Sequence, residues 1–276
     1  MELMSSKITI IGAGSVGSTI AYTLANDDIA SEIVLIDINK EKVEGEVMDI
    51  AQGTCFRDPV SIKSGEYEDA KDSDIVIITS GIARKPGQTR IELTQTNVNI
   101  LKSITPEIVK AAPNALYIIV SNPVDIMTYV FTKISGLPER QIVGSGTLLD
   151  SARLRFGLSE HFKVAQKNIH AYVFGEHGDT SFIPWTGAYI SGVSIDEYTE
   201  TMKNLGKDIE ELDNFFDITD AIYLQLIDNC CFPRILLRNN ESLKVFFTGF
   251  DSNRQCSFDR LNAPVKTKFS HHQIAG

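Results

Sequence analysis

Two short stretches hold the residue types of an acid–base site for a small anion: Asp150-Ser151-Ala152-Arg153 and Gly175-Glu176-His177-Gly178-Asp179. Glycines on either side of an imidazole leave the ring accessible and let the backbone approach a ligand closely. His177 is able to exchange a proton near neutral pH, and Asp150 to fix its tautomer. Arg153, three residues beyond Asp150, can grip a carboxylate through two parallel hydrogen bonds. Each motif alone is equally compatible with a packed histidine or a surface ion pair. The N-terminal sequence shifts the balance toward a site.

Lys7 to Ile11 is a β-branched run suited to a strand buried on both faces. Gly12-Ala13-Gly14-Ser15-Val16-Gly17 follows it, and 18–24 reads as a helix. In that setting Gly12 permits a tight turn, Gly14 lets the backbone approach a pyrophosphate, and Gly17 allows close helix–strand packing. A second strand, 32–36, ends at Asp37, twenty residues beyond Gly17. A carboxylate there binds both ribose hydroxyls and repels a 2′-phosphate, which favours NAD over NADP. Further apolar strands are expected at 75–79, 116–120 and 142–144, with a helix over 94–110. This alternation predicts an α/β fold with a doubly wound parallel sheet whose ligands lie at the carboxyl ends of its strands. Ser80-Gly81 and Ser121-Asn122-Pro123 fall at that edge. They fit ordinary turns as well as cofactor contacts.

The chain has 276 residues and a formal net charge of −10, which argues against general affinity for nucleic acid or anionic membranes. No apolar run reaches membrane-spanning length, and Met1 to Lys7 lacks the plan of a signal peptide, so a cytoplasmic protein is expected. Four cysteines without metal-ligand spacing imply neither a metal site nor a disulfide framework.

The segment 82–90 carries Arg84, Lys85 and Arg90 beside Pro86 and Gly87. It reads as a solvated basic loop or as a segment able to fold over a ligand. Together with Lys85-Pro86-Gly87-x-Thr89-Arg90, Ser121-Asn122-Pro123-Val124-Asp125 and the two opening motifs, the glycine fingerprint resembles the lactate/malate dehydrogenase family, bacterial L-lactate dehydrogenases most of all. The resemblance runs from Lys7 to about Asp217. It implies a Rossmann-type NAD-binding domain over 1–145 and an α+β substrate domain over 146–276, incomplete by comparison with the family. It also implies hydride transfer between NAD and a small 2-oxo or 2-hydroxy acid. His177 then exchanges the proton, Asp150 stabilises the imidazolium, Arg153 holds the substrate carboxylate, and Arg90 polarises the carbonyl beside Asn122. The implied cofactor contacts are Gly12, Gly14, Val16, Gly17, Asp37, Lys42, Tyr67, Gly81, Asn122 and Ser145.

Arg84 is discordant with a lactate enzyme. Lactate dehydrogenases usually carry Gln here, whereas malate dehydrogenases carry Arg to pair with a second carboxylate. Glu176 and Gly144-Ser145-Gly146-Thr147 resemble lactate dehydrogenases instead, so lactate is favoured with malate as the alternative. The resemblance further implies fermentative glycolysis and a homo-oligomer, commonly a tetramer. It also implies fructose 1,6-bisphosphate activation through Arg155 and His170, which a solvated Arg155 and a packed His170 would equally explain. After Asp217 the expected Lys-Gly-Ala-Thr run is missing, and from Leu243 onward neither the expected strands nor the final amphipathic helix is found. A deletion with a frameshift is the expected cause, a lineage-specific tail the alternative. The altered tail also leaves open a non-catalytic NAD-binding relative.

Overall fold

Isoleucine and valine dominate the strands because the sheet they form is covered on both faces. The computed structural model describes residues 6–82, 90–178 and 180–206, apart from the side chains of Phe56 and Arg90. The strands are β1 (Lys7–Ile11), β2 (Glu32–Ile36), β3 (Ser61–Ser64), β4 (Ile75–Ile78), β5 (Leu116–Ile119) and β6 (Ile142–Gly144). They form one parallel sheet in the order β3-β2-β1-β4-β5-β6. The connecting helices are α1 (Ser15–Asn26), α2 (Lys40–Gly53), α3 (Arg90–Ala111) and α4 (Val124–Ser135). The chain reverses its direction of travel across the sheet between β1 and β4, which makes their carboxyl ends the switch point where such sheets bind ligands.

Alternate residues of the strands feed two apolar layers. Ile8, Ile10, Ile33, Leu35 and Ile77 pack with Ile20 and Leu24 of α1 and with Val43 and Ile50 of α2. Ile11, Val76, Ile78, Tyr117 and Ile119 pack with Leu101, Ile104 and Ile108 of α3 and with Met127 and Phe131 of α4. The Tyr117 hydroxyl donates toward the Ala112 and Ile108 carbonyls at 2.9 and 3.1 Å, at the C-terminal end of α3. Burial holds that hydroxyl far above the ordinary tyrosine pKa.

Helix α1 starts at Ser15, earlier than the expected 18, so Gly17 lies inside it and Gly14 caps it. Helix α3 likewise starts at Arg90 rather than 94. Strands β4 and β5 each end one residue before the expected limit. Beyond β6, α5 (Leu148–Phe162) packs through Leu154, Leu158 and Phe162 on Ile169, Ala171 and Ile190. Ile169 and Ile190 belong to a small antiparallel sheet of β7 (Ile169–His170), β8 (Tyr189–Ile190) and β9 (Val193–Ser194). Helix α6 (Ile195–Asn204) follows, its first turn capped by the Ser194 hydroxyl accepting from the Glu197 N–H. The break in resemblance near Asp217 and the whole tail lie outside the described residues.

Candidate active site

At the carboxyl end of β1 the chain turns so tightly that Gly12 adopts φ +108°, a conformation open to glycine at little cost. A Cβ on Gly17 would stand 1.8 Å from the Gly12 carbonyl oxygen, so only hydrogen fits where α1 crosses the turn. Gly14, by contrast, faces open space. No side chain caps α1 and no acidic residue stands in its first turn, which leaves the helix N-terminus open to an anion. Asp37, just past β2, accepts from the Ala13 N–H at 2.6 Å and from the Asn39 N–H at 2.9 Å. It thus braces the glycine turn from the neighbouring strand. The Ser80 hydroxyl, at the end of β4, is buried without a hydrogen-bond partner among the described residues. An open glycine, an uncapped helix start, a carboxylate on the neighbouring strand and an unmatched hydroxyl together fit a bound dinucleotide.

The remaining expected cofactor positions vary in how they are placed. Val16 is half-buried against the first apolar layer. Tyr67 is half-buried against the second, and desolvation raises its hydroxyl pKa. Lys42 is exposed, and the cation paired beside Tyr67 is Lys40, 2.5 Å from Glu66. Ser145 continues the ladder of β6, donating its N–H to the Ile119 carbonyl at 2.9 Å. Gly81 leaves room for the Asn97 amide, which a Cβ would meet at 3.3 Å.

Asn97 of α3 is only 2% exposed and was not among the expected site residues. Its Oδ1 accepts from the Ile82 N–H at 2.9 Å, and its Nδ2 donates to the Ile82 and Asn122 carbonyls at 3.3 and 2.8 Å. One side chain thus joins the segments leaving β4 and β5. Asn122 itself is exposed at this edge, and the Asn122–Pro123 peptide is cis. Arg84 and the rest of 83–89, the Arg90 side chain, and Asp179 lie outside the described residues.

The residues expected to carry acid–base chemistry do meet. Asp150, in the first turn of α5, is wholly buried. Its Oδ2 lies 2.6 Å from His177 Nδ1, and its Oδ1 lies 3.6 Å from Arg153 Nη1. Helical spacing puts Asp150 and Arg153 on one face. Helix α5 is fastened to the segment that follows β7 because the Thr147 hydroxyl donates to the Val173 carbonyl at 2.7 Å. The Val173 N–H in turn donates to the Ser151 hydroxyl at 2.9 Å. The His177 side chain stays 19% exposed while Asp150 is wholly buried, so the imidazole is open to solvent on part of its surface. The loop backbone is held separately: the His177 N–H donates to Asp125 Oδ2 of α4 at 2.9 Å. Arg155 points elsewhere, donating to the Gln166 carbonyl at 3.4 Å, and His170 is exposed on β7. The described residues contain no cluster of three or more His, Cys, Asp or Glu placed to hold a metal, and no helix among them is long and apolar enough to cross a membrane.

Residues 6–144 match the family model for the lactate/malate dehydrogenase NAD binding domain. Residues 147–220 match that for the lactate/malate dehydrogenase alpha/beta C-terminal domain. The L-lactate dehydrogenase of Clostridium perfringens is 54% identical over 198 residues, 72% of this chain and 62% of that protein. The chain therefore spans less than two thirds of such a relative's length. The crystal structure of a minor L-lactate dehydrogenase from Enterococcus mundtii, in a ligand-bound form, is similar with a TM-score of 0.74 and 34% identity. That similarity covers 89% of this chain and 86% of the other. A malate dehydrogenase from Cryptosporidium parvum is similar with a TM-score of 0.68 and 36% identity, over 72% and 64% of the two chains.

Proposed function

The chain belongs to the lactate/malate dehydrogenase family, and from that premise we propose that it interconverts L-lactate and pyruvate with NAD. The observation that supports this reading most is the 2.6 Å contact of His177 Nδ1 with the wholly buried Asp150 carboxylate. When bound, the nicotinamide supplies or accepts the hydride at the substrate's second carbon. Asp150 holds the proton on Nδ1, so Nε2 is the ring nitrogen that exchanges one with the substrate oxygen. In reduction Nε2 gives its proton to the oxo oxygen; in oxidation it takes the hydroxyl proton back. The buried carboxylate stabilises the imidazolium this requires, an acid–base contribution of about 10²–10⁴ in rate. Arg153, with a side chain 10% exposed beside Asp150, holds the substrate carboxylate. Arg90 polarises the carbonyl, and Asn122 hydrogen-bonds beside it.

Malate with oxaloacetate is the second reading, supported by Arg84 and by the similarity to a solved malate dehydrogenase. NADH oxidation with pyruvate and with oxaloacetate decides between them. Replacing Arg84 with Gln is expected to raise the pyruvate-to-oxaloacetate ratio of kcat/KM, because the pocket loses a cation that only a second carboxylate pairs with. His177→Ala is expected to abolish turnover while NADH still binds. Retained turnover would sink the assignment, and NADH binding without turnover in the unaltered chain would favour a non-catalytic relative. Assembly as a homo-oligomer, activation by fructose 1,6-bisphosphate through Arg155 and His170, a cytoplasmic location and a role in fermentative glycolysis belong to the same proposal.

A further inference from the structure

His177 is held from two sides by carboxylates of different elements, and only one of them, Asp150, touches the ring. We propose that Asp125 is a positioning residue for His177: it pins the backbone of the imidazole-bearing loop to the carboxyl edge of the parallel sheet. The inference rests on the acid–base role proposed above for His177.

Asp125 is the second residue of α4, which leaves the sheet after β5, and it lies 52 residues before its partner in the chain. Its neighbour Asn122 is tied through its carbonyl to the buried Asn97 amide, so this corner of the sheet edge is itself braced. The loop around His177 is paired at its base, where Phe174 and Phe182 exchange two N–H···O bonds of 2.8 Å. Within it, the Gly178 N–H donates to the Glu176 carbonyl and the Thr180 hydroxyl to the Glu176 carboxylate. Those bonds close the loop upon itself and leave its distance from the sheet unset. The Asp125 bond sets that distance. Asp150 alone leaves the imidazole free to tilt about the Nδ1 contact, and reacting atoms displaced by about 1 Å lose about a hundredfold in rate. Asp125 makes no side-chain cap on α4, whose N-cap is Pro123, so its carboxylate is available for this contact.

The test compares Asp125→Ala, which removes the acceptor, with Asp125→Asn, whose amide oxygen accepts the same N–H. In the full chain the alanine variant is expected to lower kcat for pyruvate reduction about tenfold to a hundredfold. NADH affinity by fluorescence titration stays within about twofold, and the asparagine variant recovers kcat to within about threefold of the parent. A second readout needs no turnover. The chain has five histidines, so the ring Cε1–H resonance of His177 can be followed in ¹³C-histidine-labelled protein, with His177→Gln as the assignment control. That resonance should shift or broaden in Asp125→Ala and return in Asp125→Asn. If the unaltered chain turns over neither substrate, the proposed reaction fails while the resonance still decides the positioning role. An unchanged resonance in Asp125→Ala overturns the inference. So does an asparagine variant as impaired as alanine with equal losses of melting temperature and NADH affinity, which would make Asp125 a helix-end residue only.

Discussion

Replacing Asp150 with Asn removes one charge at almost constant volume, and the geometry sets what that costs. The carboxylate is wholly buried, 2.6 Å from His177 Nδ1 and 3.6 Å from Arg153 Nη1. Two unit charges about 4 Å apart attract by about 4 kcal/mol at an effective dielectric of about 20. Solvent reaches the 19% of the imidazole that is exposed, which trims the loss on the imidazolium to about 3 kcal/mol. That loss disfavours the protonated ring that reduction needs, so at about 1.4 kcal/mol per tenfold the proton-bearing form, and kcat for pyruvate reduction with it, falls by up to about 150-fold. The amide brings a second penalty. His177 and Arg153 face different oxygens of Asp150, and an amide replaces one of those oxygens with an NH2, so one buried donor is left facing another N–H. That mismatch lowers folding stability by about 1–2 kcal/mol. The assay is steady-state NADH oxidation, with NADH affinity from fluorescence and stability from urea unfolding. Affinity should hold, because the glycine turn lies on another element. A variant with kcat within about threefold of the parent would refute the argument, since the buried charge would then not be supporting the proton-bearing ring.

Two further substitutions probe the frame. Asn97→Ala strips three hydrogen bonds from the segments after β4 and β5 and is expected to cost about 2–3 kcal/mol in urea unfolding while raising KM for both substrates. A loss under about 0.5 kcal/mol would mean that water replaces the amide there. Tyr117 stays neutral in the folded chain at pH values that ionise it in the unfolded one, because burial raises its pKa. Its contribution is therefore complete below the unfolded value of about 10 and is lost as pH rises above it. Unfolding free energy should decline from about pH 10 upward, and Tyr117→Phe should flatten that decline; an equal decline in the variant would assign it to other groups.

The nucleotide-binding half is legible in the sequence because a parallel sheet covered on both faces needs nearly continuous apolar runs. β1, β2, β4 and β5 have them. Strand β3, Ser-Ile-Lys-Ser, shows no such run because it is an edge strand with alternate residues exposed. The meeting of His177 with Asp150 follows from complementary chemistry, although 27 residues separate them. Asn97 gives no comparable signal: a lone amide inside a helix resembles any polar residue until the loops it bonds are brought to it, 15 and 25 residues away. Asp125 is hidden for the same reason, since in sequence it reads as an ordinary acidic residue in a helix's first turn.

Asp37 ties together two properties that protein engineers treat as separate. The carboxylate expected from the sequence to discriminate against a 2′-phosphate also anchors the Ala13 N–H inside the glycine turn and the Asn39 N–H at the entrance to α2. The turn is consequently pre-shaped before a ligand arrives, and association has little chain to order there. A small neutral residue at this position, introduced to admit a phosphorylated ribose, would release both amides along with the charge. Cofactor preference and loop rigidity in this chain thus change as one variable, and a switch of specificity needs a second substitution that restores the lost acceptor.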